Sequence, residues 1–180
     1  MTVSDESSSV PSFAEPDAEL EAFAISRRFH ASQQQVFAAW TEEEHLRHWF
    51  GPSGFTIPVC RLNLVPGGMF HYCMRAPNGV EMWGKWIFQE IEAPNRIVFV
   101  NTFSNKHGYL TRHPYVPEWP LEIQTTTTLS EEDGETTVQL EWVPVNASAV
   151  EEKVFAGMHG AMAQGWNGTF DQLAAYLATI

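Results

Sequence analysis

The last thirty residues constrain this chain most. Residues 151–180 read EEKVFAGMHGAMAQGWNGTFDQLAAYLATI. Phe155, Met158, Met162, Trp166, Phe170, Leu173 and Leu177 recur every three or four positions, which sets them along one face of a single long helix. At roughly 100° per residue, Gly157, Gly160, Gly165 and Gly168 gather with Ala161 on the opposite side. Almost everything between residues 55 and 145 reads as strand. A wide apolar helix that follows a run of strands must bury its stripe against a sheet curved around it. That arrangement often encloses a pocket, so the chain is expected to be a container.

Composition narrows the classes. A chain of 180 residues fits one domain with a full core. Its 7 Trp and 12 Phe are a rich aromatic supply, which either lines a ligand cavity or fills a solid core. The formal net charge of -12 repels a phosphate backbone and an anionic membrane surface alike, so neither nucleic acid nor membrane is an expected partner. Six of the acidic residues lie within residues 1–22, which contain no Lys or Arg. Cys60 and Cys73 fall on neighbouring predicted strands. With no signal peptide and no apolar run of membrane-spanning length, a cytoplasmic location with free buried thiols is expected.

Residues 1–19 are rich in Ser, Pro and acids and read as a disordered or loosely held tail; residues 20–180 read as one domain. A first strand covers about 21–30, with Arg27 sharing a face with Phe23, Ile25 and Phe29. Ser32 is placed to cap a short helix carrying Val36, Phe37 and Trp40. Thr41 and Glu44 are spaced as a capping box for a second short helix, with Leu46, Trp49 and Phe50 apolar and Gly51-Pro52 as its end. Strands follow over about 55–64 (kinked at Pro58), 69–75, 80–91 and 96–103. Residues 104–120 form a long connection, and a last hairpin, 121–129 and 136–144, turns at Glu132-Asp133-Gly134. Short turns between consecutive strands predict an antiparallel sheet. The fold class is α+β.

This order resembles the helix-grip fold of the START/SRPBCC superfamily. Within it, the chain is similar to the branch named after the activator of the Hsp-ninety ATPase, which includes the CalC-like proteins. The resemblance covers about residues 20–178. It rests on Val36–Trp40 with His45-Leu46-Arg47-His48-Trp49-Phe50-Gly51-Pro52, on Pro66-Gly67-Gly68, on Gly84 in the strand running to Glu90-Ile91, on Pro94-Asn95-Arg96-Ile97-Val98-Phe99, on the Thr-rich strand over 125–129, and on Gly165-Trp166 with Leu173-Ala174-Ala175-Tyr176-Leu177. The resemblance implies a curved antiparallel sheet gripping a long C-terminal helix, with two short helices after the first strand. Relatives on this fold include ligand carriers, polyketide-cyclase-like enzymes and co-chaperone domains. Fold alone does not choose among them. The co-chaperones rely on a separate N-terminal domain, for which a tail of about twenty residues leaves no room.

Three kinds of chemistry are weighed. The bulky stripe of the closing helix, with Phe155, Met158, Met162 and Trp166, is expected to face Phe70, Tyr72, Met74, Trp86 and Phe88 across a cavity, flanked by Trp40 and Trp49. Tyr72 and His159 would be the polar groups that orient a ligand there. On the plainer reading the same side chains fill the core. His45 and His48 stand three apart on a short helix, but no third ligand stands at a recognisable spacing, so no metal and no cofactor are expected. His113 and Glu118, in the 104–120 connection, are the candidates for proton transfer if the protein is an enzyme. The glycine face has three readings: another backbone approaches it, from a homodimer partner or from the two short helices; the helix must deform to admit a ligand; or these are simply tolerated surface glycines. The sequence is thus read as a binder of a small apolar, aromatic or lipid-like molecule, covered by the 104–120 connection. The alternatives are a polyketide-cyclase-like or hydrolytic enzyme and a protein-interaction or co-chaperone-like module.

Overall fold

The computed structural model describes residues 21–180, and the expected acidic tail over 1–19 lies outside the described residues. Strand β1 (Phe23–Phe29) is followed by α1 (Gln33–Thr41) and α2 (Glu43–Trp49). Then come β2 (Thr56–Leu62), β3 (Met69–Arg75), β4 (Glu81–Glu92), β5 (Arg96–Phe103), β6 (Glu122–Glu132) and β7 (Glu135–Val145). All seven pair antiparallel in one curved sheet of order β1-β7-β6-β5-β4-β3-β2. Strand β1 joins the far edge beside β7, so the first and last strands meet and the helices fall on one face.

Local sequence explains several boundaries. Ser32 caps α1 and forms a reciprocal capping box with Gln35, as its position predicts. The second expected box does not form. Thr41 is the last residue of α1, and its hydroxyl donates to the Phe37 carbonyl one turn back at 2.7 Å. Glu42 takes the cap position of α2 without a side-chain bond. The pairing of β2 with β3 shifts register between Thr56 and Val59, at the expected kink of Pro58, which has no N–H to give the ladder. Asp133 and Gly134 both have positive φ, 55° and 77°, the backbone of a two-residue hairpin turn. Strands β6 and β7 therefore run right up to this turn.

The closing helix differs from the sequence expectation in one respect. It is two helices, α3 (Ala149–Gly157) and α4 (His159–Leu177), with Met158 between them at φ −100°, ψ 3°. Helix α3 starts earlier than expected because Ser148 and Glu151 form a capping box. It ends where Gly157 and Gly160 lower helical propensity on both sides of Met158. Helix α4 packs chiefly on β1, α1, α2 and α3. Phe29 meets Phe170 edge-on, with ring centres 5.7 Å apart. Arg27, odd for a core position, reaches out of the sheet edge to Asp171 of α4 at 2.6 Å.

The core lies between the sheet and the helices. Trp40 is fully buried and stacks on Trp166 (6.0 Å, 11°) and on Trp86 (6.1 Å, 27°). Trp49 lies against the same ring and donates its indole N–H to the Ala39 carbonyl at 2.8 Å. These aromatic stacks join α1, α2, β4 and α4 into one apolar layer.

Candidate ligand-binding cavity

Helix α4 sits over β1 and the short helices, and it stands off the centre of the sheet above β4 and β5. An apolar cleft, partly open to solvent, remains there. A first lobe of about 210 Å3 is walled by Trp86, Phe99 and Asn101 of the sheet, by Trp142 of β7, by Met162, Gly165, Trp166 and Thr169 of α4, and by Phe50, Gly51 and Pro52 after α2, with Met74 at the end of β3. A second lobe of about 230 Å3 adjoins it, lined by Phe103, His113, Trp119, Met158 and Ala161. Asn101, Trp142 and Met162 belong to both lobes. Each lobe alone falls below the roughly 300–1,000 Å3 of small-molecule sites.

The floor of the first lobe is a flat aromatic surface. Trp86 and Phe99 stack at 4.2 Å with planes 18° apart. Trp166 stands edge-on to Trp142 at 5.8 Å. The alternation of β5 places Phe99, Asn101 and Phe103 on the inner face. No Lys, Arg, Asp or Glu lines either lobe.

One lip of the cavity is held by backbone geometry. Gly51 has φ +104°, the left-handed region that L side chains rarely adopt. A Cβ there would also meet the Met74 sulfur at 3.0 Å. The Gly51 carbonyl accepts from Gln172 of α4 and from the Thr169 hydroxyl (3.4 Å). The loop after α2 is thus fastened to the closing helix beside the opening.

The other lip is the 104–120 connection. Ser104 pairs with Leu110. Arg112 reaches back to the Pro117 and Trp119 carbonyls and pairs with Glu151 at the start of α3. Glu151 is held down to about 2, first by the backbone N–H of Ser148, then by Arg112 and the Ser148 hydroxyl. Trp119 is buried and lies 5.5 Å from Phe155. These contacts anchor the connection on α3 with His113 facing the second lobe.

His113 accepts two backbone N–H bonds at Nδ1, from Tyr115 (3.0 Å) and Val116 (3.1 Å). Its ring meets Phe103 edge-on at 4.6 Å. Burial pushes its pKa below the ordinary histidine value. With Nδ1 accepting both N–H groups, the neutral ring carries its proton on Nε2. Glu118 is exposed and lines neither lobe. The two residues considered for proton transfer are not brought together.

Of the residues singled out from the sequence for binding, Met74, Trp86, Met162 and Trp166 line the first lobe, and Met158 and Met162 line the second. Trp40, Trp49, Phe70, Phe88 and Phe155 lie in the solid core around the hollow. Tyr72 is buried against Phe50, with ring centres 4.9 Å apart. His159 lies between Phe23 and Phe155, and its buried Nε2 has no hydrogen-bond partner. The residues singled out for binding are thus divided between the walls of this cleft and the filled core around it. Sequence reasoning missed Phe50, Phe99, Asn101, Trp142 and Thr169. The period-two pattern of β5 and β7 puts Phe99, Asn101 and Trp142 on the inner face, but only the standing-off of α4 leaves space above them.

His45 and His48 hold the end of α4. His45 Nδ1 lies 2.7 Å from the Tyr176 hydroxyl, and the His48 ring stacks on Tyr176 at 5.1 Å. Cys60 pairs across the ladder with Tyr72, and Cys73 with Val59, so the two thiols point to opposite faces of the sheet. Both are buried and free, and burial raises each to about 11. No helix among the described residues is long and apolar enough to cross a membrane. The glycine side does not lie wholly opposite the cleft as expected, since Gly165 and Ala161 line its lobes, and a Cβ at Gly157, Gly160, Gly165 or Gly168 would meet nothing within 4 Å. The two short helices therefore do not approach it, contrary to one of the expected reasons for these glycines.

A curved antiparallel sheet that grips a C-terminal helix, with an apolar hollow beneath it, defines a helix-grip domain of the START/SRPBCC kind. Residues 30–178 match the family described as Activator of Hsp90 ATPase homolog 1-like protein, and the chain belongs to that family. Solved structures show the same fold. A solution structure of a protein from Arthrobacter aurescens is 25% identical, with 92% of this chain and 91% of that one covered and a TM-score of 0.72. A crystal structure of a protein from Nitrosomonas europaea is 23% identical, covers 89% and 96%, and has a TM-score of 0.70. One from Mycobacterium smegmatis is 21% identical, covers 86% and 88%, and also scores 0.70. No curated protein matches the chain.

Proposed function

We propose that this protein binds a small, mostly apolar, aromatic or lipid-like molecule in the two-lobed cavity between α4 and the sheet. One observation carries the reading: a hollow floored by Trp86 and Phe99 and roofed by Met162 and Trp166 lies within an otherwise well-filled core. Apolar walls drive binding by removing apolar surface from water. Aromatic faces favour a flat ligand that can stack at the offset spacing these rings use among themselves. Met158 and Met162 are unbranched thioethers that adapt to varied shapes. Binding is favoured over catalysis because Glu118 is exposed and lines neither lobe. Two buried, unpaired thiols on opposite faces of the sheet are consistent with a reducing, cytoplasmic compartment.

The test is a thermal-shift and tryptophan-fluorescence screen of flat hydrophobic compounds. A ligand of the native state raises the melting temperature with concentration. It also quenches indole emission, because Trp86, Trp142 and Trp166 line the site. Gly165→Leu sets a side chain at the cavity edge and should weaken every hit without unfolding the domain. A broad apolar library that moves neither signal refutes the container.

A further inference from the structure

Among the described residues, the unpartnered polar groups on the lobe walls include the Asn101 amide, His113 Nε2 and the Trp142 indole N–H, with Asn101 and Trp142 shared by both lobes and His113 in the second. Asn101 stands on the wall shared by both lobes. Its side-chain amide makes no hydrogen bond among the described residues, whereas the Thr169 hydroxyl on the same wall is already bonded to the Gly51 and Gly165 carbonyls. In the second lobe His113 gives Nδ1 to the backbone N–H groups of Tyr115 and Val116. Both bonds require an unprotonated Nδ1, so the ring's remaining nitrogen, Nε2, carries the hydrogen and has no partner among the described residues. A neutral imidazole fixed in this tautomer is a donor only at Nε2. The desolvating neighbours Phe103 and Trp119 favour the neutral ring.

A ligand that satisfies this pair must present an acceptor to His113. Asn101, on the wall of the same lobe, can donate to a carbonyl-type oxygen through its own N–H groups. A carboxylate or phosphate would also be an acceptor, but no cationic side chain lines either lobe, and an unpaired anion taken from water into apolar surroundings is costly. The protein's net charge of -12 opposes an anion further. The aromatic lobe, with Trp86, Phe99 and Trp166, takes a flat apolar body.

We propose that Asn101 and His113 are the specificity pair of this cavity and select a neutral flat aromatic ligand bearing a carbonyl-type oxygen. The aromatic body lies on Trp86 and Phe99, and the oxygen points across Met162 into the second lobe. This inference rests on the container reading and adds the ligand's polar requirement to it. It also gives His113 a role different from proton transfer: the ring donates a hydrogen bond and keeps its proton.

Three probes of matched shape decide the matter on the full chain: 2-acetylnaphthalene, 2-isopropylnaphthalene and 2-naphthoate. Calorimetric titration should show the ketone binding at least about tenfold more tightly than the hydrocarbon, within the range expected for a buried hydrogen-bonded group, and the carboxylate binding worst. Asn101→Leu and His113→Phe should each remove most of the ketone's advantage over the hydrocarbon, the two probes being compared within the same variant. Nitrogen-15 spectra of the histidine rings should place the His113 proton on Nε2 and shift that resonance with the ketone alone. Equal affinity for ketone and hydrocarbon, or a preference that survives both substitutions, overturns the specificity pair and leaves the container standing. Tightest binding of the carboxylate overturns the neutral class. Failure of all three probes to bind overturns this inference and counts against the aromatic container together.

Discussion

Gly84 in β4 leaves the space that the Tyr72 ring in β3 occupies. The two residues face each other across the ladder, and a Cβ at position 84 would come within 2.6 Å of the Tyr72 Cζ. Tyr72 is buried, and burial raises its phenol well above the usual range. The ring packs at 4.9 Å against both Phe50 and Phe70, so it has no room to withdraw. Through Phe50 this contact supports one wall of the cavity.

Gly84→Ala is therefore expected to destabilise the domain by about 1–3 kcal/mol, the usual cost of overpacking a filled core. Denaturant unfolding measures it. In a Tyr72→Ala background the same substitution should cost little, because the clash has gone. Such a double-mutant cycle isolates the pair.

The open glycine face yields the opposite sign. Gly160 lies within α4, is exposed, and has free space at its Cβ position. Gly160→Ala should stabilise the protein by up to ~1 kcal/mol through helix propensity, read as a higher denaturation midpoint with an unchanged slope. A fall in stability, with Gly160→Leu halving the mass in solution, would show that a second copy covers this face.

Glu151 ties α3 to the long connection, and its carboxyl is held down to about 2. A group depressed on folding contributes stability above its unfolded value, near 4.5, and loses it as the pH falls toward the folded one. Glu151→Gln retains an acceptor for the Ser148 cap but removes the charge that pairs with Arg112. The stability difference between the wild type and this variant should be full above about pH 5. It should shrink steadily toward pH 2 in urea unfolding series.

Cys60 and Cys73 are buried thiols raised to about 11 on opposite faces of the sheet. A thiol reagent such as a disulfide dye should react with neither in the native protein at pH 8, since the thiolate is the nucleophile. Both should react after unfolding. Mild oxidation of the native protein should leave its mass and its thiol count unchanged.

Much of this architecture is local chemistry written along the chain. The strand boundaries of β3 and β5, the Ser32 cap, the kink near Pro58 and the antiparallel order all follow from side-chain period, turn residues and short connections. These signals act over a few residues, so they can be read without knowing the rest of the molecule. The two helix errors share a cause. Thr41 had two local partners open to it, and the structure chose the Phe37 carbonyl. Met158 lies in an unbroken apolar stripe, and the stripe does not reveal that the backbone changes direction there.

The cavity belongs to the tertiary structure. Period and burial distinguish an inner face from an outer one. They do not say whether two inner faces touch. Trp40, Phe70 and Phe88 resemble Trp86, Phe99 and Trp142 in type and periodicity, yet the first three close a solid core and the last three line a hollow. The difference is the distance between α4 and each strand. That distance is set by how the helix packs on β1, α1 and α2, how Gly51 is fastened to Thr169 and Gln172, and how Arg112 holds the long connection to Glu151. Side-chain period and turn residues are enough to imply a sheet, a helix and an apolar face between them. Packing across more than a hundred residues of chain decided that part of this face was left unfilled, with Asn101 and His113 beside the gap.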